Sequence, residues 1–188
     1  GSEQIRNSAS LGGNLGSASP IGDSLPVLIA LDSKIVIQGK KQRTVSLDDY
    51  FISYRKTKLK KNEFIKEIII PINQKNILKC YKISKRIDDD ISSVFMAINA
   101  NIKNNTFKSI KIVCGGMAEI PKIAKSTQKY LLNKKFNQEN INEAKNIIAQ
   151  EFNPIDDMRA SKEYRMKISK NLLERFLNEQ NQINTVVY

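Results

Sequence analysis

The residues best suited to chemistry near the start of the chain are those of "SASLGGNLGSASPIGDS", Ser8 to Ser24, rich in glycine and hydroxyl groups and without lysine or arginine. Gly12, Gly13 and Gly16 can adopt φ > 0 and turn successive amide N–H groups toward one point. Such a loop holds a phosphate or a polyol without a charged side chain. The same composition also suits a flexible linker or an N-terminal arm. A second cluster, "KISKRIDDDIS" (Lys82 to Ser92), sets Asp88, Asp89 and Asp90 after Lys85 and Arg86, between two strands. Neighbouring strand residues point to opposite faces and no Glu or His completes a hard-cation shell, so the residues alone favour a solvated, charge-balanced loop over a metal site. "VCGGMAE" (Val113 to Glu119) ends a strand on a glycine pair, the mark of a tight packing turn. "MRASKEYR" (Met158 to Arg165) offers two arginines around a helix start, expected as surface ion pairs.

Other chemistries are excluded. The chain has no histidine, which removes a histidine base for a nucleophile. Its two cysteines, Cys80 and Cys114, are far apart and read as buried thiols, which leaves no zinc or iron–sulfur site.

These stretches need elements to position them. The chain has 188 residues, 40% hydrophobic and 27% charged, the composition of an ordinary globular protein. No apolar run is long enough to span a bilayer and no signal-peptide pattern opens the sequence, so a cytoplasmic location and no membrane partner are expected. The net charge of +12 is spread along the chain, with "YRKTKLKK" (Tyr54 to Lys61) its longest basic stretch, so no nucleic-acid partner is expected either.

Past Pro26 a short apolar segment predicts one or two helical turns; "SKIVIQ" predicts a strand, "GKKQ" its turn, and "EFIKEIIIP" a β-branched strand ended by Pro71. "KCYKISK", "SSVFMAINANIK" and "FKSIKIVCGGM" predict three further strands, the last two joined as a hairpin through "KNNT". Three helices follow. One starts at Pro121 with Ile123, Tyr130 and Leu131 on one face; one carries Ile141, Ala144, Ile148 and Phe152. The last, capped by Ser161, buries Tyr164, Ile168, Leu172 and Phe176. Strands followed by helices predict an α+β unit.

The segments "SASLGGNLGSASPIGDSLPVLIAL", "YRKTKLKKNEFI", "YKISKRIDDDIS", "CGGMAEIPKIA" and "MRASKEYRMKISKNLLERF" resemble, in order and spacing, the FAD-bearing part of xanthine dehydrogenases, of the molybdenum hydroxylase family. The likeness runs from about Gln4 to Leu177 and is nearest to the small subunit of the two-subunit bacterial form. It implies the C-terminal portion of an FAD-binding domain over 1–77, a CO dehydrogenase flavoprotein C-terminal-like domain over 78–180, and a tail over 181–188. The implied fold is α+β: a partial FAD-binding domain, then a three-stranded antiparallel sheet with helices packed on one face.

The resemblance also assigns roles. Ser10, Gly12, Gly13 and Asn14 would face the FAD diphosphate and ribityl chain with help from Ser17, and Asp23 would accept hydrogen bonds from flavin hydroxyls. Ile65 matches an apolar position beside the flavin, and Lys82 a lysine near the isoalloxazine ring, where positive charge favours the reduced, anionic flavin. Asp89 matches the loop bordering the nicotinamide-facing side, which turns the reading of that loop from solvated to functional. Gly22 stands where some relatives carry a side chain, so no contact is carried over to it.

The implied activity passes electrons from iron–sulfur clusters through FAD to NAD during oxidation of xanthine or hypoxanthine. No catalytic residue and no metal ligand is assigned to this chain. The family's "GG-T" diphosphate loop and cysteine-rich [2Fe-2S] domains have no counterpart here, and the leading "GS" resembles a tag remnant. The expectation is a piece of the small subunit, inactive alone, whose partners are the missing N-terminal FAD and iron–sulfur segment, a molybdenum-cofactor-binding large subunit, and NAD. The alternatives are a cofactor-free subunit-interaction module, and the flavoprotein subunit of a relative such as CO dehydrogenase.

Overall fold

The computed structural model describes residues 2–87, 90–183 and 185. Its N-terminal half runs through α1 (Glu3–Ser8), α2 (Leu11–Ser17) and α3 (Ser24–Ala30). Strands β1 (Lys34–Gln38), β2 (Gln42–Ser46), the short pair β3 (Phe51–Ser53) and β4 (Lys56–Thr57), and β5 (Phe64–Ile69) follow. A three-stranded antiparallel sheet has the order β2-β1-β5.

The glycine-rich run is helical rather than a loop of left-handed glycines. Gly12, Gly13 and Gly16 all lie in α2, and the residue with positive φ is Ala18, at 46°. Three glycines cost a helix roughly 1 kcal/mol each relative to alanine. Two local features offset that cost: the Ser10 hydroxyl caps the helix by accepting the Gly13 N–H at 3.0 Å, and Leu15 is fully buried.

The C-terminal half holds β6 (Ile77–Ile83), β7 (Val94–Lys103), β8 (Thr106–Gly115) and β9 (Lys122–Ile123), joined antiparallel in that order. The expected hairpin is present: Asn104 and Asn105 have φ of 50° and 53°, the pair of left-handed residues that a two-residue turn demands. A short fourth strand, β9, takes Ile123 out of the expected helix, so α4 starts only at Lys125 (Lys125–Leu131). Helices α5 (Gln138–Glu151) and α6 (Lys162–Gln180) complete the α+β architecture. Asn137 and Ser161 cap them by accepting the amides of Asn140 and Tyr164.

"VFMAINAN" is apolar at almost every position because β7 is covered on both faces. Val94, Met96, Ile98 and Ala100 pack with α4, α5 and α6, while Phe95 and Ala97 pack with α3 and β1. Strand β8 repeats the division, with Ile112 and Cys114 on the first side and Val113 on the second. Phe107, Phe136 and Phe176 stack edge-on through the first cluster, with centroids 5.2 and 5.7 Å apart.

Three expectations change. Cys114 is buried but Cys80 is exposed, because β6 has an outward-facing side. On α6, Ile168 is half-buried and Leu172 and Phe176 are buried as expected, but Tyr164 is 45% exposed and Arg165 takes the inward position at 1%.

Candidate functional site

The short connection from α2 to α3 brings two sets of side chains together. Asn14, on α2, accepts the Ser24 hydroxyl through Oδ1 at 2.5 Å, which leaves its Nδ2 protons to donate elsewhere. Ser10 spends its acceptor on the Gly13 amide and keeps its own proton. Ser17 uses its proton on the Asn14 carbonyl, so it can offer only lone pairs; its expected help is as an acceptor. Beside Gly12 and Gly16 a Cβ would meet nothing within 4 Å, so the helix backbone is open to close approach there.

Asp23 sits at the N-cap of α3 but makes no capping bond. Its carboxylate turns across to the C-terminal half. Oδ2 takes a 2.7 Å ion pair from Lys82 on β6, and Oδ1 accepts the Ser92 hydroxyl at 2.5 Å. Lys82 also donates to Ser92 Oγ at 3.1 Å. The three groups close a ring of hydrogen bonds that spends two of the three ammonium protons of Lys82 and leaves one to donate. Lys82 and Asp23 keep 28% and 26% side-chain exposure, so the pair is reachable. The Lys82 charge is thus balanced by Asp23, a pairing absent from the sequence reading.

Ile65 lies on β5 opposite Ile37, half-buried against the core shared with Leu15, and α2 rests against that strand. Asp88 and Asp89 fall outside the described residues. Asp90 accepts the Arg86 and Ile91 amides at 2.9 Å, and these bonds together with the Arg86 charge hold its carboxyl below the ordinary range. No group of three potential metal ligands occurs among the described residues.

Sequence reasoning missed Ser92 and Arg165. Ser92, 1% exposed, is the only uncharged member of the Asp23–Lys82–Ser92 ring and gave no signal of its own. Arg165 did give one: it falls in register with Ser169, Leu172 and Phe176, all buried, and a charge in a buried stripe needs partners. They are the Asp157 carboxylate at 2.6 Å, the Ser93 carbonyl and the Gly116 carbonyl at 3.0 Å. Burial alone would raise the Asp157 carboxyl, but the Arg159 and Ala160 amides and Arg165 outweigh it and hold it below its usual value. Arg159 stays nearer the surface, 3.7 Å from Asp157.

The donor set fits a diphosphate and polyol ligand. Ser10 and Asn14 supply neutral donors, Lys82 a single available ammonium proton and Asp23 an acceptor, beside helix backbone left bare by glycine.

Comparison with known proteins agrees with this chemistry. Residues 79–180 match the CO dehydrogenase flavoprotein C-terminal domain, and residues 1–73 match the FAD binding domain in molybdopterin dehydrogenase. The chain belongs to this family of molybdenum hydroxylase flavoproteins. It is 37% identical to a xanthine dehydrogenase of Emericella nidulans over 71% of its own length and 10% of that protein's. It is 30% identical to the glyceraldehyde dehydrogenase medium chain of Sulfolobus acidocaldarius, over 95% of this chain and 64% of that one. The fold matches carbon monoxide dehydrogenase from Hydrogenophaga pseudoflava with a TM-score of 0.87 at 23% identity, covering 93% of this chain and 61% of that one. The chain thus spans 10% and 14% of the first two curated relatives and about three fifths of the solved chain.

Proposed function

We propose that the chain forms one wall of the FAD site of a xanthine dehydrogenase, in which purine oxidation at a molybdenum centre on a large subunit delivers electrons through iron–sulfur clusters to NAD. The observation that carries this reading is the ring of Asp23, Lys82 and Ser92, which ties the glycine- and serine-rich segment to β6 and leaves one Lys82 proton and the Asp23 carboxylate partly exposed. The two units divide as 1–77 and 78–180, and the setting is the cytoplasm. FAD, when bound, supplies the two-electron carrier chemistry. This chain's residues hold it: Ser10 and Asn14 donate to oxygen, Gly12 admits close approach, Gly13 anchors the Ser10 hydroxyl through its amide, Asp23 accepts from hydroxyls, Ile65 gives an apolar contact, and Lys82 places a cation beside the ring.

Redox titration of flavin-loaded protein tests the role of Lys82. Lys82→Ala leaves the Asp23 carboxylate uncompensated and should lower the flavin's reduction potential, since negative charge disfavours added electrons. An unchanged potential removes Lys82 from the site. The purine assignment rests on the xanthine dehydrogenase relatives. The glyceraldehyde dehydrogenase medium chain, matched over 95% of this chain, favours an aldehyde-oxidising relative as the second reading. Flavin reduction by xanthine, but not by glyceraldehyde, in the assembled complex supports the first; the reverse supports the second.

A further inference from the structure

Arg165 is the largest fully buried side chain among the described residues. Placing a guanidinium in a protein interior costs several kcal/mol unless partners satisfy it, and an apolar residue of similar volume often serves stability as well. Its partners show what the charge does. Two are main-chain carbonyls, those of Ser93 and Gly116, which stand just before β7 and just after β8. These strands are antiparallel neighbours, so both carbonyls lie at one end of the sheet. The third partner, Asp157, anchors the guanidinium from the segment leading into α6. Nε has no partner, so the two terminal nitrogens carry the whole arrangement.

Both carbonyls belong to residues that reach the candidate site. Ser93 follows Ser92, whose hydroxyl joins Asp23 and Lys82. The Gly116 amide donates to the Pro20 carbonyl at 3.0 Å, and Gly115 lies so close that a Cβ there would sit 3.3 Å from the same oxygen and 3.2 Å from Pro26 Cγ. Pro20 lies three residues before Asp23. Arg165 therefore fixes two backbone points, one holding the Pro20–Asp23 segment through its main chain and the other holding Asp23 through Ser92.

We propose that Arg165 is a positioning residue for the cofactor site: by clamping the ends of β7 and β8 it sets the α2–α3 connection and the Asp23–Lys82–Ser92 ring in place. The flavin part of this inference rests on the function proposed above; the clamping part does not. An apolar side chain would fill the same volume without directing either carbonyl. Lysine would keep the charge but lose the planar fork that spans both carbonyls and Asp157.

The test is amide hydrogen exchange on the full chain without FAD, comparing wild type with Arg165→Met and Arg165→Lys, followed by FAD titration of the same proteins. Exchange at Gly116 and across residues 18–24 should accelerate by about tenfold in Arg165→Met, the scale of one lost charge-assisted hydrogen bond, and by less in Arg165→Lys. Amides in the middle of α5 and α6 should keep their wild-type protection. FAD affinity should fall in the same order. Exchange that rises equally across α5 and α6 would make Arg165 a general core residue and overturn the proposal. Unchanged exchange at Gly116 and 18–24 would overturn it as well. Should Arg165→Met not fold, Asp157→Asn provides the same readout from a partly exposed position. If wild type itself binds no FAD, this wall alone does not hold the cofactor, and the exchange pattern still decides the clamp.

Discussion

The chain uses the dipeptide Gly-Gly twice, to opposite ends. Gly12 and Gly13 lie inside a short helix on the surface, and the Cα of Gly12 faces open space. Gly115 and Gly116 close a central strand: Gly115 meets Pro26 and the Pro20 carbonyl, and Gly116, with φ at +76°, has the Ser93 carbonyl oxygen where its Cβ would be. The first pair weakens its helix and leaves backbone exposed. The second permits a fold contact that no other residue would allow. Glycine at a functional surface and glycine at a packing point are alike in sequence, and their surroundings separate them.

Substitution separates them most sharply. Gly116→Ala should destabilise the protein by about 2–4 kcal/mol, from a left-handed backbone and a steric conflict with Ser93 together, read by urea unfolding. A change below about 0.5 kcal/mol would mean the turn relaxes freely and the contrast is wrong. The next effect concerns acid. The packed region relies on charged anchors, among them Glu179, which binds Arg175, Lys79 and the Tyr81 hydroxyl between α6 and β6. Burial alone would raise its carboxyl, but these partners outweigh burial and hold it at about 2, against an ordinary value of 4.5. Because the folded state depresses this group, its stabilisation is complete above pH 4.5 and drains away as pH falls toward 2. Glu179→Gln should lower stability at neutral pH and flatten that acid slope; an unaltered slope would show that other carboxylates govern it. The smallest effect falls on the surface pair. Gly12→Ala should leave stability unchanged or raise it by about 0.5–1 kcal/mol, since alanine favours helix and no neighbour obstructs it. It should nonetheless weaken FAD binding, because the methyl group fills the open approach; unchanged affinity in a flavin titration would remove Gly12 from the site.

Much of the fold was legible. The hairpin at Asn104 and Asn105, the helix past Pro26, the caps at Ser161 and the strand ended by Pro71 all follow from local chemistry that tertiary contacts reinforce. Where reading failed, a tertiary contact had overridden local preference. The glycine-rich run is helical because Leu15 is buried and Ser10 caps it, neither of which its composition announces. Ile123 joins a strand because β8 offers an open edge beside Pro121. Arg165 reads as a surface group beside its near neighbour Asp157, and only two carbonyls, 49 and 72 residues away, show why the charge is buried. The candidate site was legible as a set of residue types, and resemblance supplied their roles. Its joining feature, the ring of Asp23, Lys82 and Ser92, spans 59 and 69 residues in sequence and appears only when the halves pack.

Titration with FAD of the purified chain completed by the family's N-terminal FAD segment, alongside Asp23→Ala and followed by flavin fluorescence and absorbance, tests the central claim most directly. The account predicts saturable binding to the wild-type chain, weakened about tenfold when Asp23 loses its carboxylate, the scale of one hydrogen bond to a charged group. Equal affinity in the two proteins, or no saturable binding to either, would contradict it.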